Sequence, residues 1–315
     1  MKKKVLAAVL AATALTTSAA FAQPVELSGS VNVHYRWNDD PNGVERDGGK
    51  LYFYLNARGE LVEDVDFFAR LAAQKLTGDR IGADFKTGKY GNEVITLDRF
   101  GLEFQGKGFT YAVGRQGATI GATGLLYSTE SYMGSDMGAL DGIKITGKSG
   151  VTDLKFIAGR QWNTEKEDDK VYALQASYSP AENWTLGATI AKYEDENNNK
   201  DTNNWAVNVG YTVGKAGLFA EYGKSDADAE DTAYVFGVDY TFDAKNSAYV
   251  LYSKVEKNAD MGGMTDFDNN GKGIYIGYAY QIDKDTTLSL FYKDMEEVDG
   301  GNDYNSFRTT VTYKF

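Results

Sequence analysis

The sequence predicts an all-β protein, a closed 16-stranded antiparallel transmembrane β-barrel. Segments with alternating apolar and polar residues recur from end to end, which is typical of strands with one apolar side. Only 3 prolines occur among the 315 residues, and no segment shows a convincing helical period. The connections between segments are alternately long and short. Transmembrane strands expose alternate residues to lipid and to a polar lumen, so the mean hydropathy of −0.43 is compatible with this fold.

The first 22 residues have the features of a secretory signal peptide. Lys2, Lys3 and Lys4 precede an apolar run from Val5 to Leu15, and small residues end in Ala20-Phe21-Ala22. A short anchor helix is the alternative, but the run is too short to span a bilayer. We therefore expect a signal peptide over residues 1–22 and one barrel domain over residues 23–315.

Charge and cysteine content exclude several classes of protein. Without the three N-terminal lysines the formal charge falls from −12 to −15, which argues against nucleic acid as a partner. The chain has no cysteine, so it has neither a disulfide framework nor a thiolate metal site. After the first 22 residues, no apolar stretch is long enough for a transmembrane helix.

The predicted strands are even in number, as expected for a bacterial barrel; 14 or 18 strands remain the alternatives. In chain order they are 25–37, 49–59, 64–76, 94–105, 109–116, 139–148, 152–162, 169–179, 183–193, 203–213, 216–224, 232–242, 246–257, 272–282, 286–295 and 304–315.

The connections fall into two classes. Odd-numbered strands are followed by long, mostly polar segments such as NDDPNGVERDGG, EDENNNKDTN and NADMGGMTDFDNNG, and even-numbered strands by short turns such as GKG, PAE and DKD. This pattern is typical of an outer-membrane barrel, with long loops outside and tight turns on the periplasmic side.

The final strand ends the chain on an aromatic residue. Phe307, Thr309, Val311, Tyr313 and Phe315 fall on one face at period two. We expect this strand to pair with the first one, because closure leaves no unpaired backbone edge in lipid.

The chain resembles the general diffusion porins of Gram-negative bacteria. The resemblance extends from the opening VELSGSVNVHYRW to the closing TVTYKF, and includes LNARGEL at the end of strand two and YAVGRQ before the third long connection. It implies an outer-membrane homotrimer and a third extracellular loop that folds into the barrel and narrows the pore. It also implies that Phe315 is an insertion signal for the barrel-assembly machinery.

The third long connection is unlike the others. Its sequence, GATIGATGLLYSTESYMGSDMG, carries few charges and holds Ile120, Leu125, Leu126, Tyr127, Tyr132 and Met133. We expect it to pack against another part of the molecule. The alternative is a surface loop that contacts a neighbouring subunit.

Strand parity predicts a basic wall inside the barrel. Arg36, Arg58, Arg70 and Arg99 are each out of phase with the apolar residues of their strands, and a lipid-facing arginine near the midplane would cost about 2–4 kcal/mol. Arg115 is in phase with Val113 and would need a bulge at Gly114 to point inward, as the family's matching arginine does.

Acidic residues of the third loop are expected to face this wall. They are Glu130 and Asp136, with Asp141 just after the loop. Opposed charges across a narrow pore orient water and polar solutes. In the alternative interpretation, the arginines only neutralise lumen carboxylates such as Asp66, Asp98 and Glu103.

The expected function is passive diffusion of small hydrophilic solutes and ions, limited in size at the third loop. The acidic outer loops predict a weak cation preference, against which a basic wall would act. We expect no enzyme, cofactor or metal site, because the chain has a single histidine, His34, and no G-x-S-x-G motif. Expected partners are outer-membrane lipid, lipopolysaccharide and the solutes themselves. Alternatives are a sugar- or anion-specific channel, an outer-membrane enzyme and a structural tether.

Overall fold

The barrel predicted from the sequence is the observed fold. The computed structural model describes residues 24–77, 93–130, 139–161, 167–198 and 200–315. Sixteen antiparallel strands form a closed barrel in which each strand pairs with its neighbours in sequence, and the last pairs with the first. The residues of the predicted signal peptide lie outside the described ranges. Within those ranges, no helix is long and apolar enough to cross a membrane.

Two further, two-residue strands form a hairpin inside the third long connection. In chain order the strands are β1 (Glu26–Asp39), β2 (Glu45–Val62), β3 (Val65–Thr77), β4 (Glu93–Gly106), β5 (Phe109–Gln116), β6 (Thr119–Ile120), β7 (Tyr127–Ser128), β8 (Leu140–Ser149), β9 (Thr152–Gln161), β10 (Asp169–Ala181), β11 (Trp184–Asp195), β12 (Lys200–Val213), β13 (Ala216–Ser225), β14 (Thr232–Thr241), β15 (Asn246–Val255), β16 (Gly271–Gln281), β17 (Thr286–Glu297) and β18 (Asp303–Lys314).

All sixteen predicted segments are confirmed as barrel strands. The largest difference is at β2, which begins at Glu45 because it pairs with β1 up to Asp39. The first long connection is correspondingly shorter than predicted. At the opposite end the turns are tight: Lys107 and Gly108, between β4 and β5, both have positive φ, 53° and 82°, as a two-residue hairpin turn requires.

The outer face of the barrel is apolar. Large side chains such as Val33, Leu51, Ile95, Ile190 and Phe236 are more than half exposed on it. Aromatic pairs lie near the short turns, including Trp184 with Tyr211 at 4.5 Å and Phe104 with Tyr111 at 5.1 Å between ring centroids. Aromatic rings at this level are typical of the membrane–water interface.

The seam between β1 and β18 closes the barrel as predicted. Gly29 and Phe315 exchange two backbone hydrogen bonds, of 2.9 and 3.1 Å. The Phe315 ring stacks on Phe53, with centroids 6.1 Å apart, and lies against Gly29. The last residue is therefore an integral part of the wall.

A buried apolar cluster lies inside the barrel. It joins Ile120, Leu126 and Tyr127 of the third connection to wall residues such as Val171, and to Met261 of the connection between β15 and β16. The lumen is thus partly filled by chain segments packed against its wall.

Candidate functional site

A cavity of about 700 Å³ lies in the lumen beside β2, β3 and β4. Its charged lining residues are Glu26, Arg58, Arg70, Arg99, Glu130 and Lys144. Three of the predicted basic residues and one of the predicted acidic residues are therefore brought together around one space.

A β-bulge positions the central arginines. Arg70 pairs with Arg99 and the next residue, Leu71, pairs with Leu97, so Asp98 is the extra residue of β4. The outer-face residues Leu97 and Phe100 are exposed while Asp98 and Arg99 are buried, so both charged residues point into the lumen. Simple alternation predicts only one inward residue at this point of the strand.

Asp98 holds Arg70 in a bidentate ion pair. Nε and Nη2 of Arg70 donate to the two carboxylate oxygens, each at 2.8 Å. Arg99 lies beside this pair and donates to the backbone oxygens of Asp98 and Thr129, at 3.1 and 3.2 Å. Because Thr129 belongs to the third connection, Arg99 ties this connection to β4.

Arg58 is also paired, at the lower end of the cavity. Its Nη2 donates to Asp66 at 2.7 Å and to Glu103. Arg58 and Arg70 thus neutralise the three carboxylates that the alternative interpretation named. Arg58 and Arg70 also line the cavity. The two interpretations are therefore compatible, because the same arginines line the cavity and neutralise these three carboxylates.

Arg115 and Asp141 form an ion pair of their own. Nε and Nη2 of Arg115 donate to the Asp141 oxygens at 2.8 and 2.6 Å. The bulge predicted at Gly114 is wrong, because β4 and β5 pair through Gly114 and Arg115 without a register shift. Arg115 therefore lies on the same face of β5 as Val113. Neither Arg115 nor Asp141 lines the cavity.

Of the remaining predicted residues, Arg36 lies apart from the cavity and Glu130 lines it. Glu130 lies against Gly117 and is close enough to Arg70 and Arg99 to interact with them electrostatically. Asp136 lies outside the described residues, as do Tyr132 and Met133.

The third connection packs against the inner wall, as its apolar residues predicted. Glu221 of β13 accepts hydrogen bonds from the backbone N–H groups of Ala122 and Thr123 at 2.8 and 2.7 Å, and from the Thr123 hydroxyl at 2.6 Å. Lys155 of β9 donates to the backbone oxygen of Thr119 at 2.8 Å. The described part of the connection is thus held inside the barrel.

A second connection, residues 256–270, binds to the third one. Met261 N–H donates to Leu126 O at 2.9 Å, and Ser128 N–H donates to Met264 O at 2.5 Å. Met261 and Met264 are fully buried. This packing was not predicted, although two methionines in a mostly polar loop were a signal for it.

Parity could have found further lumen charges. Lys155 and Glu221 are out of phase with exposed apolar residues of their strands, and so are Lys50 and Arg308. Lys144 is out of phase with Ile143 and Ile145. Because the basic wall was predicted from the arginines of the first five strands alone, Lys50 on β2 and the four residues on later strands were missed.

The carboxylates of residues 256–270 have protein partners. Asp268 binds Nζ of Lys293 at 2.5 Å and accepts from the Tyr275 hydroxyl at 3.0 Å. Asp260 is buried and accepts hydrogen bonds from Gly263 N–H at 3.0 Å and Asn269 Nδ2 at 3.1 Å. In the described part of the chain, no group of three or more acidic or histidine side chains is arranged to hold a metal ion.

Asp260 is expected to make the packing of residues 256–270 depend on pH. Burial raises its pKa from 3.8 to about 7. Between these values the unfolded segment has lost its proton while the folded one keeps it, so stability falls as pH rises through this window. Hydrogen exchange at Met261 N–H, corrected for intrinsic rates, should therefore show weaker protection near pH 8 than near pH 5. Asp260→Asn cannot ionise and should flatten this dependence; an unchanged dependence in that variant would assign it to another group.

Comparisons with known proteins agree with this geometry. The profile of the Gram-negative porin family matches residues 7–315. Salmonella typhi OmpF has a TM-score of 0.63 at 14% identity, covering 93% of this chain and 98% of that one. An engineered variant of Rh. blastica porin has a TM-score of 0.61 at 14% identity, covering 92% and 100%. OmpT of Vibrio cholerae, solved in a trimer form, has a TM-score of 0.60 at 15% identity, covering 92% and 99%.

At 14–15% identity these structural likenesses show the fold alone. The family profile is a match of sequence, and it extends over nearly the whole chain. A search of curated proteins found no match. The profile match, together with the closed sixteen-stranded barrel, identifies the family. The chain belongs to the Gram-negative porins, channel-forming proteins of the outer membrane.

Proposed function

We propose that the protein is a water-filled channel through which small hydrophilic solutes and ions diffuse passively. The observation that carries this proposal is the course of the third connection. It leaves β5, the fifth barrel strand, and is anchored by Glu221 on β13, six barrel strands further round. A segment held across the lumen in this way limits the size of solutes that pass.

Charges of opposite sign on the wall and on this segment should favour the passage of some solutes over others. Arg99, Lys144 and Lys155 carry positive charge on the wall, and Glu130 carries negative charge on the segment. Opposed charges produce a transverse field that orients water and polar solutes. In this proposal Arg58 and Arg70 take part through ion pairs, and the Arg115–Asp141 pair has no part in the constriction.

The proposed assembly is a homotrimer in contact with outer-membrane lipid and lipopolysaccharide. OmpT, which shares the fold, is described as a trimer. We also propose that Phe315 is recognised by the barrel-assembly machinery, and that residues 1–22 direct export. We assign no catalytic step. The single histidine, His34, has Nδ1 at 2.7 Å from the hydroxyl oxygen of Thr310 on the neighbouring strand, so this contact is structural in the proposal.

Single-channel recording in a planar lipid bilayer tests the proposal. Purified protein should give large ohmic current steps in potassium chloride, grouped in threes if the trimer is intact, and neutral sugars should reduce the current only slightly. Saturable block by one sugar would indicate a specific sugar channel. Absence of conductance from correctly folded barrels would contradict the channel proposal.

A further inference from the structure

A second cavity, of about 540 Å³, lies between the third connection and the lumen wall. Thr119, Gly121 and Ala122 of the connection line one side of it. Gly108, in the short turn between β4 and β5, also lines it, so the cavity extends toward the short-turn end of the barrel. Cavities that bind small ligands have volumes of about 300–1,000 Å³, so a small solute on its way through the channel fits into this space.

The wall of the second cavity is rich in hydroxyl and amide groups. They include those of Thr110, Thr146, Gln175, Ser177, Thr185 and Asn208. Such groups both donate hydrogen bonds to the hydroxyls of a polyol and accept them. None of the described residues that line the cavity is aromatic, so no ring is available for stacking on a sugar. Lys148 and Asp153 also line the cavity and pair with each other at 3.3 Å. The cavity therefore suits a hydroxylated solute, but its neutral part alone offers weak binding.

Two lysines lie where the second cavity adjoins the cavity beside β2, β3 and β4. Lys144 lines that first cavity, and Lys155 lines the second one. Lys155 pairs with Thr146, two residues from Lys144 on β8. The two lysines are therefore diagonal neighbours on adjacent antiparallel strands, about 7–8 Å apart. Positive charge concentrated in a cleft attracts anions and raises their local concentration.

The charges of these two lysines are not neutralised by direct contact. Within the described ranges of the chain, neither Lys144 nor Lys155 forms an ion pair with a carboxylate. Nζ of Lys155 donates to the backbone oxygen of Thr119 at 2.8 Å, which uses one of its three N–H donors. Glu130 and Glu221 act on Lys155 electrostatically from a distance. Because Glu221 already accepts three hydrogen bonds from the third connection, both ammonium groups remain available to a solute.

We propose that the second cavity binds sugar phosphates, with the phosphate between Lys144 and Lys155 and the sugar against the hydroxyl and amide groups. A phosphate monoester carries a charge of about −1.5 to −2 at pH 7 and has three strong acceptor oxygens. These oxygens match the remaining N–H donors of the two lysines. This inference rests on the proposed channel function and names a class of solute for it. It also gives this part of the lumen a preference for anions, against the weak cation preference expected from the acidic loops.

The test measures block of the single-channel current by added solutes in potassium chloride. Glucose 6-phosphate should reduce the current with a saturating concentration dependence. Inorganic phosphate, which lacks the sugar, should need a higher concentration for half-block, and glucose, which lacks the charge, should reduce the current only slightly. In the Lys144→Gln variant the half-blocking concentration of glucose 6-phosphate should rise about tenfold, as expected when a charge-assisted hydrogen bond is lost.

Further variants separate this site from general effects of charge and size. Lys224→Gln removes a lysine that pairs with Asp231 at 3.0 Å on the outer face, and should leave the block unchanged. Thr146→Val/Ser177→Ala removes two hydroxyls of the cavity wall and keeps all charges. It should raise the half-blocking concentration of glucose 6-phosphate about threefold and leave that of inorganic phosphate unchanged. This double variant also provides the test if Lys144→Gln does not fold.

Three results would overturn the inference. They are the absence of block by glucose 6-phosphate, equal half-blocking concentrations for glucose 6-phosphate and inorganic phosphate, and equal block by glucose 6-phosphate in wild type and both lumen variants. A normal current without block would leave the proposed channel function standing. Absence of any current from folded barrels would instead contradict that function.

Discussion

Replacement of Glu221 by alanine is expected to release the third connection and increase the single-channel conductance. The Glu221 side chain is 2% exposed and accepts three hydrogen bonds from Ala122 and Thr123. Hydrogen bonds to a charged group contribute about 1.5–3 kcal/mol each. Their loss also leaves two backbone N–H groups without this acceptor, so the connection should move away from the β13 wall and widen the passage.

Conductance in potassium chloride, together with the largest neutral sugar that still permeates, measures this effect. Glu221→Gln keeps an acceptor oxygen and should lie between wild type and alanine. Glu296→Ala removes a carboxylate that pairs with Lys272 at 3.1 Å outside the lumen, and should leave the conductance unchanged. If Glu221→Ala conducts like wild type, then this contact does not hold the constriction in place.

The strands were predictable because the pattern that identifies each one lies within its own short segment of sequence. A period of two with one apolar face follows from lipid on one side and water on the other, and each strand carries this pattern independently. Asp98 shows the limit of that argument. Its bulge places two consecutive residues in the lumen, and it is stabilised by Arg70, 28 residues away, so the pattern of β4 alone does not reveal it.

The site was less predictable because it depends on closure and on inward packing of loops. Arg36 and Arg308 are 272 positions apart and become neighbours only when β18 pairs with β1. Glu221 meets Thr123, 98 residues away, only when the third connection enters the barrel. Parity still indicated the inward side of these residues, so the sequence could supply candidates for the site but not their partners. For Arg115, strand alternation predicted an outward side chain, whereas the family resemblance implied an inward one. The pairing of β4 with β5 agrees with the alternation.

Gly29→Ala is expected to prevent stable closure of the barrel. A Cβ atom at this position would lie 2.6 Å from Cζ of Phe315 and even closer to the backbone oxygen of Tyr54. A rigid backbone atom cannot yield as a side chain can, so β1 must shift away from β2. Overpacking costs about 1–3 kcal/mol in an ordinary core. At this seam, a shift also threatens hydrogen bonds between β1 and β18, and each backbone group left unpaired in lipid costs several kcal/mol more.

The measurement is the fraction of refolded protein that migrates as a compact barrel on gel electrophoresis without boiling. Gly210→Ala is the matched control, because a Cβ at that position on β12 would be 3.6 Å from Cβ of Thr185, an ordinary contact. Phe315→Leu should fold better in vitro than Gly29→Ala, since it removes ring stacking and keeps the backbone pairing. If Phe315→Leu folds in vitro but fails to insert in cells, recognition of the terminal aromatic residue is separate from its packing. Equal folding of the Gly29 and Gly210 variants would show that the seam tolerates a Cβ and that β1 can move without opening the barrel.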